Sequence, residues 1–90
     1  HRHVRGGRVI SVTALQGIKA EVIELQAAPE SKVTQKPISK LNFPEGCVIG
    51  GILSNGTTRI ATGESQIQAQ DRVIIFCLPE AIEKVTSLFQ

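Results

Sequence analysis

The stretch Phe43–Ile60, FPEGCVIGGILSNGTTRI, organises this sequence because it combines a turn, an apolar run and a hairpin signal. Residues 44–46 are typical of a turn. Asn55-Gly56 predicts a β-hairpin, since a type I′ turn needs positive φ at both of its central residues. The run Cys47–Leu53 is apolar at nearly every position, whereas a half-buried strand alternates apolar and polar residues. We therefore expect this strand to be the middle of the domain and to be covered on both faces.

An ideal strand over this run would divide its large side chains between two faces. One face would carry Cys47, Ile49 and Leu53, and the other would carry Val48 and Ile52. Gly50-Gly51 lies in mid-strand and not before a helix, which favours a close-packing or bulge position over a phosphate-binding loop.

A second strand, Arg72–Leu78, is also apolar on both faces. Pro79 begins a helix with one apolar stripe at helical spacing. The stripe consists of Ala81, Ile82, Val85, Leu88 and Phe89. One helix covers only one face of a sheet, and an uncovered apolar face marks an interaction site. The pattern predicts a homodimer, in which the second face is covered by a partner subunit or by a short helix.

Three further segments complete the predicted domain. Ile18–Gln26 alternates apolar and polar residues with one slip, which indicates a strand with a bulge near Val22. A helix over residues 20–26 is the weaker alternative, since Glu and Leu favour helices. Residues 37–41 are typical of a short helix, and residues 9–12 are compatible with another strand. The order is strand, short helix, three strands and C-terminal helix, a two-layer α+β domain with a small, mainly antiparallel sheet.

Composition restricts the classes of function. Ninety residues make one small domain. The net charge of +2 comes from Arg2, Arg5 and Arg8, because from Val9 onward there are seven basic and eight acidic residues. A nucleic-acid binder needs a basic face with stacking aromatic residues, so no nucleic-acid partner is expected. No apolar run reaches the roughly 18–20 residues of a membrane span, which predicts a cytoplasmic chain that meets the membrane only through a partner.

The residue pattern predicts that the chain is not an enzyme and that it has no catalytic residues and no metal site. The two histidines, His1 and His3, stand at the start of the chain without a third ligand nearby. Cys47 and Cys77 lie in apolar runs and are interpreted as small buried hydrophobic residues, because a disulfide framework or a metal pair would favour turns and closer spacing.

Five stretches carry a resemblance to a known family. They are GRVISV (7–12), AEVIE (20–24), KPISKLNFPEGCVIGGIL (36–53), QDRVIIF (70–76) and EKVTSLF (83–89). In their order and spacing they resemble the TrkA-C (RCK-C) domain, the C-terminal lobe of the regulatory subunit of Trk-type potassium uptake systems. The resemblance covers nearly the whole chain. It implies that residues 1–12 end a segment connecting two lobes and that residues 13–90 are the TrkA-C domain.

The resemblance implies a non-catalytic regulatory and dimerisation lobe of a peripheral cytoplasmic subunit that controls potassium uptake. Its expected partners are a second copy of the lobe, an N-terminal Rossmann lobe absent from this sequence, and a potassium-translocating membrane subunit at the inner face of the cell membrane. NAD or another nucleotide is expected only in the N-terminal lobe, so this lobe has no predicted cofactor.

The alternative function is a sensor that binds a nucleotide or cyclic dinucleotide at the dimer seam. The candidate seam or ligand residues are Ile38, Leu41, Asn42, Phe43, Pro44, Val48, Ile49 and Ile52. Some relatives bind cyclic di-AMP there, with Arg in place of Asn42 and Asn in place of Val48. These departures remove a cationic and a hydrogen-bonding contact, and they argue against cyclic di-AMP. Gln70, where the family often has Gly, would carry mild strain at positive φ.

Overall fold

Five strands and one helix form the domain in the computed structural model, which describes residues 8–14, 17 and 19–90. The strands are β1 (Arg8–Ala14), β2 (Glu21–Gln26), β3 (Cys47–Ser54), β4 (Thr57–Ile60) and β5 (Arg72–Cys77), and the helix is α1 (Ile82–Leu88). Single 3₁₀ turns cover Lys32–Thr34, Ile38–Lys40 and Pro79–Ala81. The predictions on Arg2, Arg5 and the two histidines lie outside the described residues.

The strands pair in the order β1-β2-β5-β3-β4, and every neighbouring pair is antiparallel. The predicted α+β class is therefore confirmed. The expectation that Cys47–Leu53 is the middle of the domain is wrong, because β5 is the central strand. The hairpin partner β4 occupies one edge of β3, while β5 pairs with β3 on one side and with β2 on the other. The predicted division between residues 12 and 13 falls within β1 and stays a prediction.

The hairpin between β3 and β4 has the predicted turn. Asn55 has φ 53° and Gly56 has φ 78°, which are the positive values that a type I′ turn requires. Ser54 and Thr57 are the pair that closes the hairpin. A local signal in two residues thus determines the register of both strands.

A bulge at Gly50 decides which residues of β3 reach the core. Ile49 pairs with Ile75, but the next pair joins Gly51 to Ile74, so Gly50 is an extra residue. The predicted division of faces is wrong from this point on, because the bulge returns Ile52 to the same face as Ile49. The interpretation of Gly50-Gly51 as a bulge or close-packing site is confirmed. A Cβ at position 50 would lie 2.9 Å from Cε1 of Phe76.

Strand β2 is regular, so the expected bulge near Val22 is wrong. All six of its residues pair with β5 without a shift of register. The irregularity lies in the pairing of β2 with β1, where the register shifts between Val9 and Ser11 of β1. The apparent slip in β2 arises because Ile23 and Leu25 face the core, while Val22 is an apolar residue on the opposite face. The helical alternative for residues 20–26 is also wrong.

The core lies between one face of the sheet and a layer formed by α1 and the loops. Its fully or nearly fully buried residues are Ile23, Leu25, Ala27, Val33, Ile52, Ile67, Val73, Ile75, Cys77, Ala81, Val85 and Phe89. The predicted helix stripe is confirmed, with Ile82 and Leu88 packing at its margin. Ile38 and Leu41, at the 3₁₀ turn that replaces the predicted short helix, pack against the same core. That turn therefore covers the same face of the sheet as α1.

Candidate functional site

The face of the sheet opposite α1 carries three of the four large apolar side chains that are exposed among the described residues. Register and strand alternation place six apolar residues on it. They are Val22, Val48, Leu53, Ile60, Ile74 and Phe76, and we call this surface the open face. Val48 is 67% exposed, Ile60 78% and Phe76 45%. Because exposed apolar residues grouped on one surface mark interaction sites, the open face is a candidate interaction surface.

Among the described side chains, the charged groups of the open face are Glu24 and Arg72, which border its apolar residues. Glu24 and Arg72 form an ion pair of 3.4 Å between Oε2 and Nη1, with both side chains partly in contact with solvent. Exposed pairs of this kind contribute about 0–1 kcal/mol to stability, so the pair is a poor stabiliser of the single chain. Its position gives the apolar surface a polar rim, as is usual for protein interfaces.

On the side of α1, residues 38–44 form a ridge that borders three grooves. The ridge is held by backbone hydrogen bonds to the loop between β4 and β5. The amide of Ile38 donates to the carbonyl of Ser65 at 3.0 Å, and the amide of Ser39 donates to that of Gly63 at 2.8 Å. A Cβ on Gly63 would lie 3.2 Å from Cβ of Ser39. This close approach fixes the ridge relative to the sheet.

The largest groove, about 580 Å³, separates the ridge from α1. Its lining residues are Asn42, Phe43, Pro44, Glu45, Glu80, Ala81, Lys84, Ser87 and Leu88. Two carboxylates and one ammonium group line it, so its charge is mixed. The smallest groove, about 250 Å³, is more apolar. It is lined by Ile38, Phe43, Cys47, Ile49, Ala61, Thr62 and Gly63.

The third groove, about 450 Å³, is cationic, and we call it the lysine groove. Its lining residues are Lys32, Val33, Gln35, Lys36, Lys40, Leu41, Asn42 and Leu88. Among these described lining residues there are three lysines and no carboxylate. This groove was not predicted from the sequence, although the spacing of four between successive lysines was available as a signal.

The eight candidate site residues do not form one site in a single chain. Six of them line the grooves on the helix side: Ile38, Leu41, Asn42, Phe43, Pro44 and Ile49. Val48 lies on the open face, and Ile52 is fully buried in the core. Asn42, which lines two of the grooves, and Val48 therefore lie on opposite sides of the sheet.

The two cysteines, interpreted from the sequence as small buried hydrophobic residues, are cross-strand partners. Cys77 is buried, and Cys47 is half-buried and donates a hydrogen bond from Sγ to the carbonyl of Pro44 at 3.2 Å. Burial, together with the neighbouring Cys47 thiol, raises the pKa of Cys77 to about 12. Burial also raises the pKa of Cys47. Both groups are therefore thiols at neutral pH.

Within the described part of the chain, no group of three or more His, Cys, Asp or Glu residues is arranged to hold a metal ion. Nor does any described helix combine the length and the apolar character needed to span a membrane. The geometry thus presents two kinds of surface: an apolar sheet face and a set of grooves around one ridge.

Comparison of the sequence with known protein families gives one match. The family model described as the TrkA-C domain matches residues 22–90. The chain belongs to the TrkA-C domain family, and the resemblance seen in the sequence is confirmed. The matched region begins within β2 and includes β3, β4, β5, the ridge and α1.

Two proteins similar to this chain carry names from one transport system. The "Trk system potassium uptake protein TrkA homolog 2" of Methanosarcina mazei is 38% identical over 85 residues, 94% of this chain and 19% of that protein. The "Trk system potassium uptake protein TrkA" of Azorhizobium caulinodans is 34% identical over 89 residues, 99% of this chain and 19% of that protein. The chain thus spans about a fifth of the length of these relatives.

Proposed function

We propose that this chain is a regulatory and dimerisation lobe of a potassium uptake protein, and that it is not catalytic. Membership of the TrkA-C family and the names of the similar proteins support the transport role. The observation that carries the dimerisation role is the open face, with Val48, Ile60 and Phe76 exposed on one side of the sheet.

The open face suits a second copy of the chain. Two copies related by a twofold axis present the same patch to each other, so an apolar centre meets an apolar centre. The Glu24–Arg72 ion pair at the margin gives each copy one carboxylate and one guanidinium to place beside those of its partner. The short 3₁₀ turn at residues 38–40, the other predicted cover, lies on the opposite side of the sheet and leaves this face to a partner.

Light scattering of purified chain at micromolar concentration tests the dimer. We expect the mass of two chains for the unmodified protein and the mass of one chain for Val48→Asp. In a dimer of this variant, each copy would bury one carboxylate in the apolar interface, which is unfavourable. Thr57→Asp is the matched control, since Thr57 is an exposed strand residue paired with Ser54 on the helix side. A monomeric unmodified chain, or a Val48→Asp dimer, would reject this interface.

In the whole protein, the lobe is joined to an N-terminal Rossmann lobe that binds NAD or another nucleotide. The protein lies in the cytoplasm against the inner face of the membrane, held there by a potassium-translocating subunit. Its dimer transmits the state of the nucleotide lobes to that subunit. The lobe has no cofactor of its own in this scheme.

A chimaera tests the transport role. In the chimaera, the chain replaces the fifth of the Azorhizobium caulinodans protein that it matches. The chimaera is produced in cells that need that protein for growth at low potassium. We expect the chimaera to restore growth and the Val48→Asp chimaera to fail, while Thr57→Asp restores growth like the unmodified chain. A chimaera that folds and assembles but never restores growth would contradict the transport role.

The lysine groove favours a second candidate function, the sensing of a nucleotide. Lys32, Lys36 and Lys40 line one groove together with the apolar Leu41 and Leu88. Ammonium groups suit phosphates, and apolar walls suit a base. The predicted ligand class is therefore a phosphate-bearing nucleotide held beside the ridge.

Calorimetric titration with ATP, NAD and cyclic di-AMP in turn tests this function. We expect one of them to bind, and Lys36→Gln to weaken that binding by about tenfold, which corresponds to 1.4 kcal/mol. Lys19→Gln, an exposed lysine outside the groove, is the control and should bind like the unmodified chain. If none of the three nucleotides releases or absorbs heat, the sensing function is rejected and dimerisation remains as the proposed function.

A further inference from the structure

The two cysteines of this chain lie opposite each other on β3 and β5, two neighbouring strands inside the sheet. Cys47 at the start of β3 and Cys77 at the end of β5 are register partners. The amide of Leu78 donates to the carbonyl of Gly46 at 2.7 Å, just outside the pair. In an antiparallel ladder, a bond between these flanking residues marks the enclosed pair as a non-hydrogen-bonded one, whose Cα atoms lie about 4.5 Å apart.

This position can accept a disulfide without movement of the strands. Disulfides join residues whose Cα atoms lie roughly 4.4–6.8 Å apart, and the two side chains leave the sheet on the same face. The separation typical of such a pair falls within that range, and a disulfide formed there can be broken again by thiol–disulfide exchange. The geometry therefore fits a bond that can form and be broken again.

We propose that Cys47 and Cys77 are a redox-modification site that forms a reversible intrachain disulfide, with a low-molecular-weight disulfide such as oxidised glutathione as the oxidant. The site joins two strands that are thirty positions apart in the sequence. It requires no second copy of the chain and no ligand in the grooves.

The disulfide forms in two exchange steps, and the exposure of the two thiols to the oxidant determines which cysteine reacts first. Cys47 lines the smallest groove and is half-buried, whereas Cys77 is only 1% exposed. The thiolate of Cys47 attacks one sulfur of oxidised glutathione, which forms a mixed disulfide and releases one glutathione thiolate. Cys77 then loses its proton and its thiolate attacks Sγ of Cys47, which releases the second glutathione. Two protein thiols are oxidised, and one glutathione disulfide is reduced to two thiols.

The bond would act on both candidate surfaces. Val48 and Phe76, the next pair along the two strands, are exposed residues of the open face. Cys47 itself follows the turn at residues 44–46, beside the ridge. Oxidation would therefore fix the strand ends that carry the dimer surface and one end of the ridge.

Mass spectrometry of the native chain after incubation with oxidised glutathione at pH 9 tests the proposal. We expect the intact mass to fall by two hydrogen atoms. Tryptic digestion without reductant should yield peptides 41–59 and 73–84 as one linked species, and dithiothreitol should separate them. An unchanged mass, a stable glutathione adduct on the unmodified chain, or a link between Cys47 residues of two copies would overturn the proposal.

Two variants test the order of the steps. Cys77→Ala should accumulate the glutathione adduct at Cys47, and Cys47→Ala should remain unmodified over the same time because the buried Cys77 is out of reach of the oxidant. An adduct on Cys47→Ala, or none on a folded Cys77→Ala, would reject Cys47 as the first nucleophile. If Cys77→Ala does not fold, as judged by circular dichroism, the peptide map of the unmodified chain decides the proposal alone.

Discussion

Gln70 is held in a left-handed backbone conformation by its neighbours. Its φ is 74°, which meets the condition under which strain was expected at this position. Its amide donates to the carbonyl of Ala27 at 2.8 Å, and the amide of Ala27 donates to the carbonyl of Asp71 at 2.8 Å. These bonds tie the end of β2 to the turn before β5. The strain at Gln70 is thus retained because the two bonds outweigh it.

Replacing Gln70 with Gly should stabilise the chain. A left-handed residue with a side chain costs about 1–2 kcal/mol, and Gly returns about 0.5–1 kcal/mol of this as backbone entropy. We expect Gln70→Gly to raise the free energy of unfolding by about 0.5–1 kcal/mol in urea titrations. The hydrogen bond from Nε2 of Gln26 is kept, since its acceptor is the backbone carbonyl of residue 70.

The control for Gln70→Gly is Gln68→Gly, in the same loop. Gln68 is exposed and is not among the residues with positive φ, so Gly there should lower stability. Equal effects of the two substitutions would contradict the strain at Gln70.

Cys77 should make the reduced chain less stable in alkali. Its pKa is raised from 9.0 to about 12 in the folded chain, chiefly by burial. Between these values the folded state binds more protons than the unfolded state, so the free energy of unfolding falls as pH rises through this window. Its contribution is fully present below pH 9 and is lost by pH 12.

Urea titrations at pH 8 and pH 10.5, with reductant present, measure this effect. Cys77→Ala lacks the titrating group, so we expect it to lose less stability between the two pH values than the unmodified chain. All other ionisable side chains are the same in both proteins, so their effects cancel in the comparison. Identical losses would show that Cys77 is solvated as a thiolate.

At the scale of elements, the bulge in β3 separates two apolar residues that simple alternation places together. Ile52 is fully buried, whereas Val48 is 67% exposed. We expect Ile52→Ala to lower the free energy of unfolding by about 2–5 kcal/mol, as core truncations do. Val48→Ala, measured on the monomer at high dilution, should lower it by about 0.5 kcal/mol or less. The reverse ranking in urea titrations would show that the bulge is absent.

At the scale of the whole molecule, the open face couples stability to concentration. If two copies cover it, dissociation accompanies unfolding, and the midpoint of thermal unfolding rises with chain concentration. We expect this rise for the unmodified chain and for Thr57→Asp, and a midpoint independent of concentration for Val48→Asp. Calorimetry over a hundredfold range of concentration measures it, and a constant midpoint for all three proteins would contradict the dimer.

The sequence by itself determined the local elements of this protein. The Asn55-Gly56 turn, the helix stripe after Pro79 and the strand at Arg72–Cys77 depend on residues close along the chain, and the structure confirms each of them. The α+β class follows from their order. The family also follows from the sequence, since its signal is the order and spacing of short stretches.

Only the tertiary structure decided which residues share a surface. The extra residue at Gly50 reversed the faces of Ile52 and Leu53, because a shift of one position in a strand turns every later side chain over. Strand order brought Cys47 and Cys77 together and placed Asn42 and Val48 on opposite sides of the sheet. Such contacts depend on pairings between distant segments, and a pattern read along one chain cannot specify which edges of the strands meet.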